Sequence, residues 1–366
     1  MKRALSLLLL LLATGGTSAQ SATTLNGAII YITQDQGGTI FAYQEGSWAS
    51  PVATYTGLPI TNGVRGITAQ GNYLYISSGG AGGSEGNGSV TKWNMVTHAV
   101  AWHVNLSTGV DLLSVCPNGN VYVPQGERSS TSNKVTILSG ATGAVVGTTT
   151  AAGNEPHDSV CMPSGGFYVG AKTSGYLKTP AGNVGPNPSG SQPGVRPFTV
   201  SKDESRVWIT YTKYRGFAIG STSTGKLLKA VNFGSIPSTY KITAPSHGVS
   251  LNPNGSDVWV LDSPANQVRE YTASDTPSLV AKVTLQHKDI GKEQNCNLDC
   301  SKSGWLLNTL DGKYVLVGDS GDIINVATHS VVAFNSALAN NRHGYLEVDW
   351  ANGAPVATST HVGVGH

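Results

Sequence analysis

Short apolar runs separated by turn residues recur along the whole chain. In Val121–Val123, Val207–Thr210, Val258–Leu261 and Tyr314–Val317 the residues are mostly β-branched, aromatic or leucine, types that fit a pleated and largely buried surface. Three of these runs follow Pro-Asn-Gly or Asp-Gly, where Pro fixes φ and Gly or Asn accepts positive φ. The pattern therefore predicts β-strands joined by tight turns.

The strands fall into seven units, each opened by a polar residue, which we call the opener. An apolar strand, a turn and an aromatic-rich strand follow the opener, and an outer hairpin such as the one at Ala141-Thr142-Gly143 recurs further on. Successive openers lie 46, 46, 39, 51, 56 and 40 residues apart, and such a period with four strands per unit is typical of a β-propeller blade. The openers are Arg65, Asp111, His157, Arg196, His247, Ser303 and His343.

The two ends of the chain predict how the ring closes. Three strand-like segments precede the first opener, Ala28–Thr33, Thr39–Tyr43 and Val52–Tyr55, and they have no inner strand of their own. The last opener is followed by an inner strand, Tyr345–Trp350, with too little chain left for a whole blade. We expect an all-β, seven-bladed propeller of four-stranded blades in which both termini share one clasp blade and hide its sheet edges.

Residues 1–20 have the pattern of a signal peptide. Two basic residues precede the apolar run Leu5–Leu12, and the small residues Thr17–Ala19 suit signal peptidase; the run is too short to span a bilayer. We therefore expect a secreted, extracellular protein whose residues 21–366 form the propeller, with no membrane association after cleavage. Asn-x-Ser sequons, which would be glycosylated in a eukaryotic host, lie at Asn87, Asn105 and Asn254.

The four cysteines form two pairs by position. Cys296 and Cys300 share a polar insertion, and in an oxidising compartment a local disulfide is favoured over a metal site, which would need more ligands. Cys116 and Cys161 occupy nearly matching places on neighbouring inner strands. They can form a disulfide if their Cα atoms approach within about 7 Å, and two buried thiols are the equal alternative.

Composition narrows the classes of function. The 46 Gly, 17 Pro and 12% charged residues disfavour a helical protein. A net charge of +2, without a dense basic stripe, gives no sign of nucleic-acid binding. Walker, dinucleotide, HExxH and GxSxG motifs are absent. No feature indicates an oligomer, so a monomer is expected, and any chemistry has to come from the ring of openers.

Ring closure should bring the openers to one mouth of the central channel, together with Asp158, Lys302 and Arg342 beside them. Small residues would satisfy packing there, whereas three His, two Arg and an Asp place charges close together, where pKa values shift readily. One interpretation is a polar rim that joins the blades. The other, which we favour, is a ligand or catalytic site, because propellers usually place function at this mouth.

Around Pro156–Asp158, Val195–Thr199 and Pro245–Val249 the chain resembles secreted bacterial and fungal propellers of the YVTN or surface-layer type. More loosely, it is similar to seven-bladed propeller lyases that release rhamnose linked to glucuronic acid on plant gums and arabinogalactan. That resemblance implies a polysaccharide lyase with a polar pocket of His, Tyr and Arg side chains at the mouth, and a uronate-containing oligo- or polysaccharide as partner.

β-Elimination at a uronate suits the residues of the ring. The proton on C5 becomes acidic when the neighbouring carboxylate is neutralised, after which a base removes it and an acid protonates the leaving oxygen. Arg65 and Arg196 are the expected clamp, and His157 and His247 the expected base and acid, with Tyr240 a substitute for either. Further substrate contacts are expected from Asp111, His343 and Lys302.

Three alternatives stay open at this stage. A lactonase-type hydrolase would activate water with Asp111 or His157. No cofactor is required by the sequence, but a divalent metal in the central channel is conceivable if His157, His247 and His343 converge on one ion. A non-catalytic extracellular binding propeller would need none of these roles.

Overall fold

A computed structural model describes residues 24–34, 38–60, 63–79, 88–126, 131–190, 194–289 and 303–359. The described chain forms seven antiparallel sheets, each of which is one blade. Blade 1 consists of β4 (Val64–Gln70), β5 (Tyr73–Ser78), β6 (Gly88–Asn94) and β7 (Val100–Leu106). Blade 2 consists of β8 (Ser114–Val115), β9 (Asn120–Pro124), β10 (Lys134–Ser139) and β11 (Val145–Thr150). Blade 3 consists of β12 (Pro156–Cys161), β13 (Phe167–Ala171), β14 (Leu177–Thr179) and β15 (Gly182–Val184).

The next three blades repeat this plan. Blade 4 consists of β16 (Val195–Val200), β17 (Arg206–Tyr211), β18 (Tyr214–Ser221) and β19 (Leu227–Asn232). Blade 5 consists of β20 (Val249–Leu251), β21 (Asp257–Asp262), β22 (Gln267–Thr272) and β23 (Leu279–Thr284). Blade 6 consists of β24 (Leu306–Asn308), β25 (Tyr314–Val317), β26 (Asp322–Asn325) and β27 (Ser330–Phe334). Short 3₁₀ turns lie at Ser263–Ala265 and Leu338–Asn340.

The seventh sheet is the clasp blade, and it confirms the predicted closure. It contains β1 (Gly27–Thr33), β2 (Ile40–Gln44), β3 (Ala53–Tyr55), β28 (Tyr345–Ala351) and β29 (Ala354–Thr358). Strand β1 pairs antiparallel with β28, so the N-terminal strands continue a sheet that starts at the C-terminal inner strand. Strand β29 was not predicted from the sequence. This fifth strand adds to the free edge of β28, opposite β1.

The hydrophobic core is divided among the seams between blades. Seven clusters of buried apolar side chains in the described chain each join two neighbouring blades. In β1, for example, Ile29 and Tyr31 pack toward blade 1, whereas Ile30 and Ile32 pack toward blade 6. Successive side chains of a strand point to opposite faces of the sheet. Since both faces of β1 are buried against neighbouring blades, its residues form a continuous apolar run.

A disulfide joins Cys116, just after β8, to Cys161 at the end of β12, with their Cα atoms 5.1 Å apart. The bond links neighbouring blades 2 and 3 and settles the choice between disulfide and thiols that the sequence left open. Cys296 and Cys300, whose disulfide was also predicted, lie outside the described residues, as do the leader and Lys302. Of the sequons, Asn105 and Asn254 are exposed.

The two mouths of the channel differ in character. The mouth away from the openers holds a cavity of about 390 Å³ between β29 and the ends of inner strands, lined mainly by apolar residues such as Val115, Pro163 and Val356. The opener mouth, in contrast, is lined by polar and charged residues. Among the described residues, no helix has the length and apolar character needed to cross a membrane.

Candidate functional site at the opener mouth

The seven openers all lie at or just before the start of an inner strand, as predicted. Five of them are almost wholly buried and come together in one cluster, in which ring, ion-pair or hydrogen-bond contacts connect the side chains or, for Ser303, the backbone. The five are Arg65, Asp111, His157, His247 and Ser303. His343 joins them through its contact with Trp305, which also touches two of the histidines.

A chain of hydrogen bonds crosses the mouth. Asp111 Oδ2 lies 2.7 Å from Nδ1 of His157, whose Nε2 lies 3.2 Å from Nε2 of His247. Nδ1 of His247 donates to the backbone carbonyl of Ser303 at 2.7 Å. We call Asp111, His157, His247 and the Ser303 carbonyl the relay. It joins blades 2, 3, 5 and 6, which are not all adjacent, across the channel.

The partners fix which groups of the relay carry protons. A carbonyl oxygen only accepts, so Nδ1 of His247 carries a hydrogen. Burial, followed by the charges of His157, Arg342 and Arg196, holds the pKa of His247 well below its usual value, so this ring is neutral and its Nε2 is an acceptor. Nε2 of His157 must then donate to it. Because Nδ1 of His157 faces the Asp111 carboxylate, both its nitrogens donate, and His157 is the imidazolium.

His343 differs from the other two histidines in the contacts of its ring nitrogens. Its ring is buried, and no residue of the described chain forms a hydrogen bond with its ring nitrogens. Burial first, and then the charges of Arg65 and Arg342, hold the pKa of His343 well below the ordinary value. His343 is therefore a neutral imidazole at physiological pH.

Trp305 is the common aromatic contact of the three histidines. Its ring centroid lies 6.0 Å from that of His157, 5.8 Å from that of His247 and 5.4 Å from that of His343, with each pair nearly edge to face. The preceding Gly304 packs against the backbone of Gly318, where a Cβ atom would lie 1.8 Å from the backbone oxygen. The backbone N–H of Trp305 also donates to the carbonyl of Arg342.

Cationic side chains lie beside the relay, and two of them contact its carboxylate. The carboxylate of Asp111 is fully buried and contacts three side chains. Lys172 Nζ lies 3.4 Å, Arg65 Nη2 3.7 Å and His157 Nδ1 2.7 Å from its oxygens. Arg342 lies 3.5 Å from the buried Asp319. Cationic side chains with little exposure to water, such as Arg65 and Lys172, are suited to contact an anionic ligand.

Arg196 and Tyr240 lie at the margin of the cluster. The Arg196 guanidinium donates to Thr212 and Thr243, and its charge still acts on His247. The Tyr240 hydroxyl is buried without a hydrogen-bond partner in the described chain, and burial raises its pKa. Tyr240 is thus beside the relay, on the Ser303 side, rather than within it.

Two contributors to the site, Lys172 and Trp305, were not predicted from the sequence. Lys172 directly follows β13, the second strand of blade 3. Because β13 is antiparallel to the inner strand β12, it ends at the mouth where β12 begins, and the position of Lys172 in the repeat could have predicted its place there. Trp305 lies two residues after Ser303, and that spacing marks it as a neighbour of the openers. Within the described part of the chain, no three His, Cys, Asp or Glu side chains are placed to hold a metal ion.

Comparisons with known proteins support the fold. No protein-family model matches the chain, and no curated protein matches it. A functionally unknown protein from Desulfotomaculum acetoxidans DSM 771 is 12% identical, with a TM-score of 0.63 over 87% of this chain and 98% of its own. The Cps50 (Swd1) propeller domain of Myceliophteria thermophila is 11% identical, with a TM-score of 0.57 over 81% and 95%.

One further similar structure is an enzyme. The periplasmic gluconolactonase PpgL of Pseudomonas aeruginosa is 14% identical, with a TM-score of 0.59 over 92% of this chain and 97% of its own. At identities this low, the likeness extends to the fold alone. The chain is a seven-bladed β-propeller, as predicted.

Proposed function

We propose that the protein is an enzyme that binds the carboxylate of a uronic acid at the opener mouth and cleaves its glycosidic bond by β-elimination. The observation that carries this proposal is the relay of Asp111, His157 and His247, with Arg65 and Lys172 beside its carboxylate. A uronate needs a cationic clamp and groups that transfer protons, and both are present within one cluster.

The cations would first bind the carboxylate. Arg65 and Arg342 flank the histidines, and their charges would stabilise the negative charge that develops when the C5 proton leaves. The C5–H bond breaks, its electron pair forms the C4–C5 double bond, and the bond from C4 to the leaving oxygen breaks. His157, as imidazolium, can give its proton to that oxygen while Asp111 continues to hold the ring.

The burial of Asp111 bears on the alternative of a lactonase. Asp111 was the expected water-activating group of a lactonase, but it is fully buried and enclosed by three cations. Its carboxylate is therefore better suited to orient His157 than to contact water. Lactone hydrolysis stays the competing reaction because a gluconolactonase shares the fold.

We also propose that the protein is exported and acts outside the cell. The leader pattern of residues 1–20 supports export, and the Cys116–Cys161 disulfide suits an oxidising compartment. A uronate-bearing polysaccharide outside the cell would then be the partner, and a gum or arabinogalactan end is the substrate that we expect.

The test is a substrate panel with purified wild-type protein. Gum arabic and other uronate polymers are incubated with the protein, and ultraviolet absorbance reports an unsaturated uronate while a second assay reports free rhamnose. Gluconolactone is followed in parallel by acid release, and both assays are repeated with a chelator. Absorbance that rises only with uronates supports elimination. Acid release from the lactone alone would replace it with hydrolysis, and activity in neither assay would leave a binding module.

A further inference from the structure

The three buried histidines of the opener mouth differ in what their nitrogens contact. Those of His157 and His247 are all engaged, by Asp111, by each other and by the Ser303 carbonyl. The ring nitrogens of His343 have no hydrogen-bond partner in the described chain. A lone pair that already accepts a hydrogen bond has to lose that bond before it can take a proton from carbon.

We infer that His343 is the catalytic base that removes the C5 proton, and that His157 and His247 together supply the catalytic acid. This inference rests on the proposed function and changes the roles expected from the sequence, in which His157 and His247 were base and acid and His343 only contacted substrate. At the start of the reaction His343 and His247 are neutral imidazoles and His157 is an imidazolium.

The surroundings of His343 suit a base that works beside a bound carboxylate. The charges of Arg65 and Arg342 act on it, as do those of His247 and His157. The same arginines would hold the substrate carboxylate, which would bring the adjacent carbon close to the imidazole. Trp305 packs edge to face against the ring at 5.4 Å between centroids and restricts its orientation.

The protons balance over one turnover. His343 takes the C5 proton and becomes an imidazolium, while the electron pair of the C–H bond forms the double bond. His157 gives its Nε2 proton, which faces His247, to the leaving oxygen and becomes neutral, while Asp111 keeps its contact with Nδ1. Return of the proton from His343 to His157, directly or through solvent, restores the starting state without any oxidant or further reactant.

The experiment compares His343→Ala with His103→Ala on the uronate polymer that wild type degrades. His103 lies on the outer strand β7, where it hydrogen-bonds Thr91, so its variant controls for loss of a histidine outside the mouth. We expect His343→Ala to lose about 100-fold or more in kcat, since a general base contributes roughly that much, with recovery on adding imidazole. His103→Ala should keep the wild-type rate.

A second readout does not depend on turnover. Diethyl pyrocarbonate acylates neutral imidazoles with an available nitrogen, so peptide mapping should find His343 modified faster than His157 or His247, and D-glucuronate should slow its modification but not that of His103. A His343→Ala variant with wild-type kcat on a polymer that is degraded would overturn the inference and leave the proposed function standing. No degradation of any uronate by wild type would instead remove the proposed function, and with it the base.

Discussion

The disulfide between Cys116 and Cys161 should make a large and measurable contribution to stability. The two residues are 45 positions apart, and a cross-link closing a loop of that size removes conformational entropy from the unfolded chain worth about 4 kcal/mol at 25 °C. Replacing both cysteines with alanine should therefore lower the free energy of unfolding by up to that amount.

The expected change in melting temperature follows from the size of the protein. Unfolding entropy of about 2.1 cal/mol/K per residue over roughly 340 residues gives about 0.7 kcal/mol/K, so the loss corresponds to about 6 °C. Differential scanning calorimetry of the oxidised wild type and the double variant measures it. Wild type with a reductant is the matched control, because it keeps both sulfur atoms in the core and separates packing from cross-linking.

Two results would refute this reasoning. Peptide mapping of the wild type that finds both thiols free would show that the bond is absent. A bond that is present, but whose loss moves the melting temperature by less than about 1 °C, would show that the unfolded chain gains little freedom when the loop opens.

Two further predictions concern buried carboxyl groups. Burial raises the pKa of Glu347 to about 9, above the value of about 4.3 in the unfolded chain. Between these two pH values the folded state keeps a proton that the unfolded chain has released. The free energy of unfolding should therefore fall as pH rises through this range, by up to about 1.4 kcal/mol per pH unit. Glu347→Gln should flatten that slope in melting curves recorded from pH 5 to 9, and an equally steep slope in the variant would contradict the assignment. Asp262, fully buried, accepts from both Arg215 and Arg269, so Asp262→Ala should cost about 3–5 kcal/mol in urea unfolding. The control Asp275→Ala removes an exposed ion pair and should cost less than about 1 kcal/mol; equal losses in the two variants would contradict the burial argument.

The fold was predictable because strand period, turn residues and repeat length all point to one architecture. Ile29 to Ile32, for example, are apolar at every position, which is what a strand buried between two blades requires. Strand β29 escaped prediction because Ala354–Thr358 is short and half exposed, and nothing in its residues marks it as a fifth strand. The openers occupy the same position in each repeat, at the start of the inner strand, so closure of the ring was expected to bring them together at one mouth.

The chemistry of the cluster was less predictable than its location. Which histidine is charged depends on contacts between residues 46 to 90 positions apart, such as Asp111 with His157 and His157 with His247. A repeat places these side chains at one mouth but does not say which nitrogen faces which partner. The expected role of Arg196 in the clamp stays a prediction; its guanidinium donates to Thr212 and Thr243, and its charge acts on His247.

The central claim is that the cations of the opener mouth bind a uronate carboxylate and thereby allow elimination. The most direct measurement compares the initial rate of unsaturated-uronate or rhamnose release from native gum arabic with that from the same gum after chemical reduction of its carboxyl groups to alcohols. We expect release from the native gum and a loss of about 100-fold or more after reduction, because the neutral sugar offers neither an anion to bind nor an acidic C5 proton. Equal rhamnose release from both gums would contradict the claim.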